Sequence, residues 1–310
     1  MCINFYFFLR SLSSSNPFRE AFCILHDEHV DKSTFGDTEM ISLGSPSNRK
    51  VHIDFESILN SLLVSLPSES AAILLYSLLQ THPTFLEVIM SNRSTFPAGS
   101  DVTSRIRSLM GAILRGLYDV ENAHSVDHLY VLVVCVLILV QDASVSPYIV
   151  SIKIDAPWYR ERLLQSVSLC DLVILCVIRT IMHALFRLRD QYLVYNCFAV
   201  LLNLTSVLSE IHSYAAERLV KVTCRLCKRI IKIKEAEEKL ISKAGVHASL
   251  STENPVKQSI TLPIEALEET LRVFFKAIGT IIANLQNMLF VSCTSSFLIY
   301  TKSFYIRNGT

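Results

Sequence analysis

Two imidazoles one helical turn apart, His124 and His128, with Asp127 beside them, have a spacing that binds zinc. The metalloprotease pattern places Glu directly after the first His, but Ser125 stands there, and no third ligand or base follows. The pair therefore reads as the exposed start of a helix. Cys224 and Cys227 form a lone Cys-x-x-Cys. A zinc site needs a second such pair and a redox site needs a preceding strand. This pair stands inside a long helical pattern, where two half-buried thiols account for it. His26-Asp27-Glu28-His29 gathers ligand-type side chains in a polar stretch that lacks a scaffold, and reads as solvated loop. The sequence has no Gly-x-Gly-x-x-Gly run, Walker loop or nucleophile elbow. Catalytic, cofactor-binding and metal-ligating roles are accordingly assigned to no residue, and no small-molecule substrate is expected.

Charge offers more. Arg218, Lys221, Arg225, Lys228 and Lys232 recur at three and four residues and so share one face of a helix. That face lies roughly 100° round from the apolar set Ala215, Leu219, Val222, Leu226, Ile230 and Ile233. Such a row attracts anionic lipid headgroups or an acidic partner. The plainer alternative is a solvated face, partly neutralised by Glu217, Glu235, Glu237 and Glu238. Because neighbours take up the apolar face, any membrane contact would be peripheral.

Helices must carry these residues. Leu193, Cys197, Val200, Leu201, Leu204, Val207 and Leu208 recur at helical spacing, and a short joint, Ser209–Ser213, leads to the basic helix. Asp54 is placed to cap a helix with Phe55, Ile58, Leu59, Leu62 and Leu63 on its inner face. Ser68 or Ser70 caps a segment over Ala71–Leu79, and Pro83 opens a third. Amphipathic or apolar segments follow at Ile106–Leu117, Leu129–Val140, Ala215–Ala244 and after Pro263. Loops are predicted near 26–50 and 245–262. The fold class is all-α, a degenerate armadillo/HEAT-like α-solenoid of stacked helix pairs, since the pairs recur without an exact repeat.

Composition agrees. The 310 residues are 51% hydrophobic, enough for a large core or a row of stacked repeats. Only eight glycines argue against a turn-rich β protein. Lys+Arg 29 against Asp+Glu 28 leaves no global field to draw in nucleic acid. Nine scattered cysteines, an odd number, with Cys135, Cys176 and Cys197 in apolar stripes, suit a reducing compartment. A mean hydropathy of +0.39 raises an alternative, an integral membrane protein using the apolar runs 129–140 and 169–186. The first run is short of the roughly 20 residues that a spanning helix needs. The second carries Asp171 and Arg179.

A family resemblance lies in the ordered set Trp158-Tyr159-x-x-Arg162, Ile178-Arg179-Thr180-Ile181, Leu188-Arg189-Asp190-Gln191-Tyr192-Leu193, Asn196-Cys197 and Tyr214-Ala215-Ala216-Glu217-Arg218. Asn16-Pro17-Phe18-Arg19-Glu20-Ala21 and Ala72-Ile73-Leu74-Leu75-Tyr76 precede it in the same order. This set resembles the dymeclin family over residues 16–289. Stretches 1–15 and 290–310 read as an unrelated N-terminal extension and C-terminal tail, so the chain reads as a fragment truncated at both ends. The resemblance implies a non-enzymatic protein of the cytoplasm, peripherally associated with the Golgi membrane and needed for Golgi organisation and secretory vesicle trafficking. It also implies other proteins of the secretory pathway as partners. Family members with an N-terminal Met-Gly can be myristoylated; this chain begins Met1-Cys2, so that site is absent from it. The polar residues around Arg189, Asp190, Tyr192 and Asn196 read as structural, with Asp190 supporting the first turn of its helix.

Overall fold

The computed structural model describes residues 22, 24–28, 51–91, 101–119, 125–208 and 210–245. His124, the terminal stretches 1–15 and 290–310, most of the two predicted loops and the helix expected after Pro263 lie outside them.

Local chemistry starts the helices. A short strand β1, Leu25–Asp27, pairs in parallel with β2, Val51–Ile53. The backbone then enters α1, Phe55–Ser65, where Asp54 accepts from the N–H of Glu56 at 3.0 Å. Ser68 accepts from Ala71 N–H at the start of α2, Glu69–Thr81. Caps of this kind contribute about 1 kcal/mol each. Pro83 opens α3, Pro83–Met90, at a position whose missing N–H would have had no intrahelical partner. Next come α4, Val102–Tyr118, and α5, Val126–Gln141, the latter capped by Ser125. A six-residue α6, Ser146–Ser151, leads to the antiparallel pair β3, Lys153–Ile154, and β4, Val167–Ser168. Beyond β4 run α7, Leu169–His183, a π-helical turn at Ala184–Leu188, then α8, Gln191–Thr205, and α9, Ser213–Gly245.

The described residues are thus mostly helical, with two small strand pairs that the all-α expectation did not include. Where a loop is predicted from residue 26, His26 and Asp27 are strand. The physical reason is nonlocal: Val51–Ile53 supplies the ladder, and buried Asp27 accepts from the N–H of Phe55 at 3.3 Å.

The chain divides into two compact units, residues 1–169 and 170–310. In the first, α2 packs most extensively on α5, three helices further along, and α1 likewise meets α4. Consecutive helices from α1 to α6 also touch. Phe55 stands edge-on to Phe85 at 5.5 Å and to His82 at 4.8 Å, while Leu75, Leu78, Leu109, Met110, Ile113 and Val136 fill the interior. Burying one such Leu or Phe contributes about 1.5–3 kcal/mol.

In the second unit every residue from Cys170 to Ile178 is buried. The π turn ends at Arg189, which adopts left-handed backbone angles (φ 56°, ψ 36°). Asp190 then accepts from the N–H of Leu193 at 3.1 Å, so it caps α8 with a hydrogen bond where only support by its charge was expected. Val207 and Leu208, placed in that helix by the sequence pattern, instead follow its end in a turn closed on the Leu204 carbonyl.

Candidate functional site

Of the ligand-type residues, Asp27 and His128 bond to backbone groups. His128 is half-buried, and its Nε2 lies 3.1 Å from the Leu66 carbonyl, so it ties α5 to the end of α1 instead of standing exposed. His124, its intended partner, is outside the described residues, as is His29. Cys224 is half-buried on α9; the side chain of Cys227 is outside the described set. Among the described residues no three His, Cys, Asp or Glu side chains gather as a metal site. Burial pushes the thiols of Cys135 and Cys170 up to about 12, with Asp171 adding to the effect on Cys170. Burial, and then Asp190, raises Cys197 as well. Thiols of this kind are poor nucleophiles.

An open groove of about 530 Å³ runs beside α1, lined by Ser57, Ser61, Ser65, Ser68, Leu62 and Leu74. Ser61 and Ser65 donate to the carbonyls one turn back, at 2.8 and 2.6 Å, and Ser57 donates to Asp54, the cap of α1. These serines satisfy themselves locally.

Of the residues that carried the family resemblance, 16–21 lie outside the described residues, 72–76 lie within α2, and several of the others fall at joints. Trp158 and Tyr159 pack on Tyr118 with ring centroids 5.5 and 4.9 Å away, and the Tyr118 hydroxyl accepts from the N–H of Arg160 at 2.8 Å. The loop between β3 and β4 is thereby pinned to the end of α4. Arg162 on the same loop is exposed. On α7, Arg179 is half-buried and Thr180 is buried, donating to the Cys176 carbonyl at 3.0 Å. Tyr192 points outward, 75% exposed, and Asn196 is half-buried. Ala215 is fully buried, and the N–H of Tyr214 donates to His212 Nδ1 at 3.2 Å. His212 in turn donates its own N–H to Asp171 at 2.8 Å. That bond joins the first turn of α7 to the start of α9 and gives the buried Asp171 carboxylate a partner inside the protein.

A second such anchor escaped the sequence reading. Besides Asp171, Arg105 is buried on α4 and donates from Nε to the Ile89 carbonyl at 2.9 Å and from Nη2 to that of Ser91. These carbonyls end α3, where a helix leaves acceptors unpaired and its dipole is negative. The signal was present, because Arg105 falls in register with Val102, Ile106 and Leu109 on an otherwise apolar stripe.

The basic row keeps its predicted place on α9. Lys221, Arg225, Lys228 and Lys232 are exposed, and Arg218 is half-buried. Lys221 forms an ion pair with Glu217 one turn earlier. On the other side Ala215, Ala216, Leu219, Val222, Thr223 and Leu226 are buried.

Packed helices whose buried polar groups secure helix ends, with one coherent charged surface row, make this a mostly helical protein built around helix-on-helix contacts. The chain belongs to the dymeclin family: the model described as "Dymeclin: Dyggve-Melchior-Clausen syndrome protein" matches residues 4–300. That span takes in part of each terminal stretch set apart in the sequence reading. Dymeclin of Xenopus laevis is 28% identical over 270 residues, and dymeclin of Gallus gallus 29% over 271. Each alignment covers 87% of this chain and 36% of the relative. Dymeclin of Drosophila melanogaster is 28% identical over 84% of the chain. The chain thus spans about a third of the length of these relatives. No solved structure matches it.

Proposed function

We propose that this chain is part of a non-enzymatic α-solenoid scaffold, peripherally associated with the cytoplasmic face of the Golgi and serving Golgi organisation and secretory vesicle traffic. Dymeclins are not known as an enzyme family, and the match over residues 4–300 is the observation that carries the reading. The packing of α2 on α5 and of α1 on α4 supports the solenoid part. In armadillo-like stacks of three-helix repeats each helix lies against its counterpart three positions on. Partners would be other proteins of the secretory pathway, held along extended helical surfaces.

The membrane-spanning alternative is not favoured. Helix α5 has 16 residues, about 24 Å long, short of a hydrocarbon core of about 30 Å. The 20-residue stretch Leu169–Leu188 has the length and apolarity to span, yet 72% of its most apolar window is buried in the protein. Its Asp171 is likewise bonded to protein backbone.

Depletion of the full-length gene product tests the functional part. Surface arrival of a secreted reporter is expected to slow and Golgi stacks to fragment, with rescue by the wild-type gene. Normal secretion and intact stacks after complete removal would refute it.

A further inference from the structure

The four exposed members of the basic row on α9, Lys221, Arg225, Lys228 and Lys232, face outward together, and we propose that they form an adsorption surface for anionic lipid headgroups. The inference rests on the peripheral-membrane reading and names the surface that would meet the bilayer.

Charge arrangement is the first argument. No carboxylate stands three or four residues to either side of Arg225 or Lys228. At those positions Arg225 has Lys221 and Lys228, and Lys228 has Arg225 and Lys232, so the middle of the row repels itself along the helix, while Glu217 and Glu235 offset charge only at its two ends. Like charges at this spacing destabilise a helix. An anionic surface laid along the row removes that repulsion. From Lys221 to Lys232 the row extends about 16 Å at helical rise, on an arc of about 60°. A plane can therefore touch all four exposed side chains together.

The residue types argue for headgroups over an acidic protein. The exposed members are three lysines and one arginine, without an aromatic among them. Protein interfaces are depleted in Lys and anchored by aromatic residues. Lysine is a hydrated point charge on a flexible stem, suited to a fluid layer of phosphates; fixed carboxylates are better met by the arginine fork. The apolar side of the helix is buried over Ala215–Leu226, so contact is by adsorption, without insertion.

The test uses purified full-length protein and sedimentation with phosphatidylcholine vesicles, pure or containing about a third phosphatidylserine. The variant is Lys221→Gln, Arg225→Gln, Lys228→Gln and Lys232→Gln together, checked for unchanged helical circular dichroism and melting. Each basic residue near such a surface raises binding about fivefold, so the variant lacking four should bind about 600-fold weaker. High salt should release the wild type. A charge-preserving exchange of Lys for Arg, and Arg for Lys, at the four positions should bind as wild type does.

Equal binding by the glutamine variant, or by wild type to uncharged vesicles, overturns the proposal. Capture on immobilised polyglutamate without vesicle binding also overturns it, in favour of an acidic protein partner. Fractionation in cells separates the two levels. If the glutamine variant still sediments with Golgi membranes, the row is ordinary surface while the scaffold reading stands. If the wild type never does so, the scaffold reading itself falls.

Discussion

Replacing Arg105 by methionine tests how this fold closes its helix ends. Arg105 is 6% exposed, and its guanidinium donates to the carbonyls of Ile89 and Ser91, which finish α3. Methionine keeps much of the stem's packing but leaves the buried Ile89 carbonyl and the part-buried Ser91 carbonyl without that donor. A hydrogen bond to a charged group contributes about 1.5–3 kcal/mol, and a stranded buried acceptor costs about 1–3 kcal/mol. Relief from burying the guanidinium offsets part of this, leaving a net loss of about 3 kcal/mol. With a urea slope of about 3 kcal/mol per molar for a chain of this size, the midpoint should fall by about 1 M with the slope unchanged. Arg105→Lys retains the charge beside the helix terminus but loses the fork, and should lose about half as much. Equilibrium urea unfolding followed by circular dichroism reads both. A methionine variant within about 0.5 kcal/mol of wild type, or a lysine variant equally damaged, would refute the reasoning.

Two further outcomes follow from the second unit and the buried thiols. Asp190→Ala removes the acceptor for Leu193 N–H and should destabilise by about 1 kcal/mol in thermal melts, with Asp190→Asn restoring most of it; an unaffected alanine variant would deny the cap its role. Cys135 and Cys170 have thiols raised in the folded state, so the fold favours their protonated form. That contribution is intact below pH 9 and is lost as pH rises from 9 towards 12, because the unfolded chain ionises first. The fall is about 1.4 kcal/mol per pH unit for each thiol, so Cys135→Ala should flatten stability against pH in this window, whatever its cost at neutral pH. Alkylation at pH 8 followed by mass spectrometry should label Cys224 well before Cys135 or Cys170; the reverse order would contradict their burial.

Helix starts were legible because caps are local. Asp54, Ser68 and Pro83 each sit within three residues of the groups they serve, and each opens the helix expected of it. The basic row and the buried side of α9 over Ala215–Leu226 were equally readable, since both follow from spacing on one helix; the side chains of Ile230 and Ile233 lie outside the described residues. What was lost depends on distance along the chain. The pairing of Leu25–Asp27 with Val51–Ile53 joins two three-residue segments that carry no strand pattern of their own. The bond from His212 to Asp171 spans 41 positions: a carboxylate in the apolar run 169–186 signals a polar neighbour, but not which one. Arg105 differs in kind: a charge on an apolar stripe signals a buried partner, though not which carbonyls it will find.

Alkaline carbonate extraction of Golgi-enriched membranes, prepared from cells that express the full-length gene product, tests the central claim most directly. Release of the protein into the supernatant, from membranes that carry Golgi markers, is the predicted result for a peripherally bound helical scaffold. Retention in the pellet would contradict it and assign Leu169–Leu188 to the bilayer.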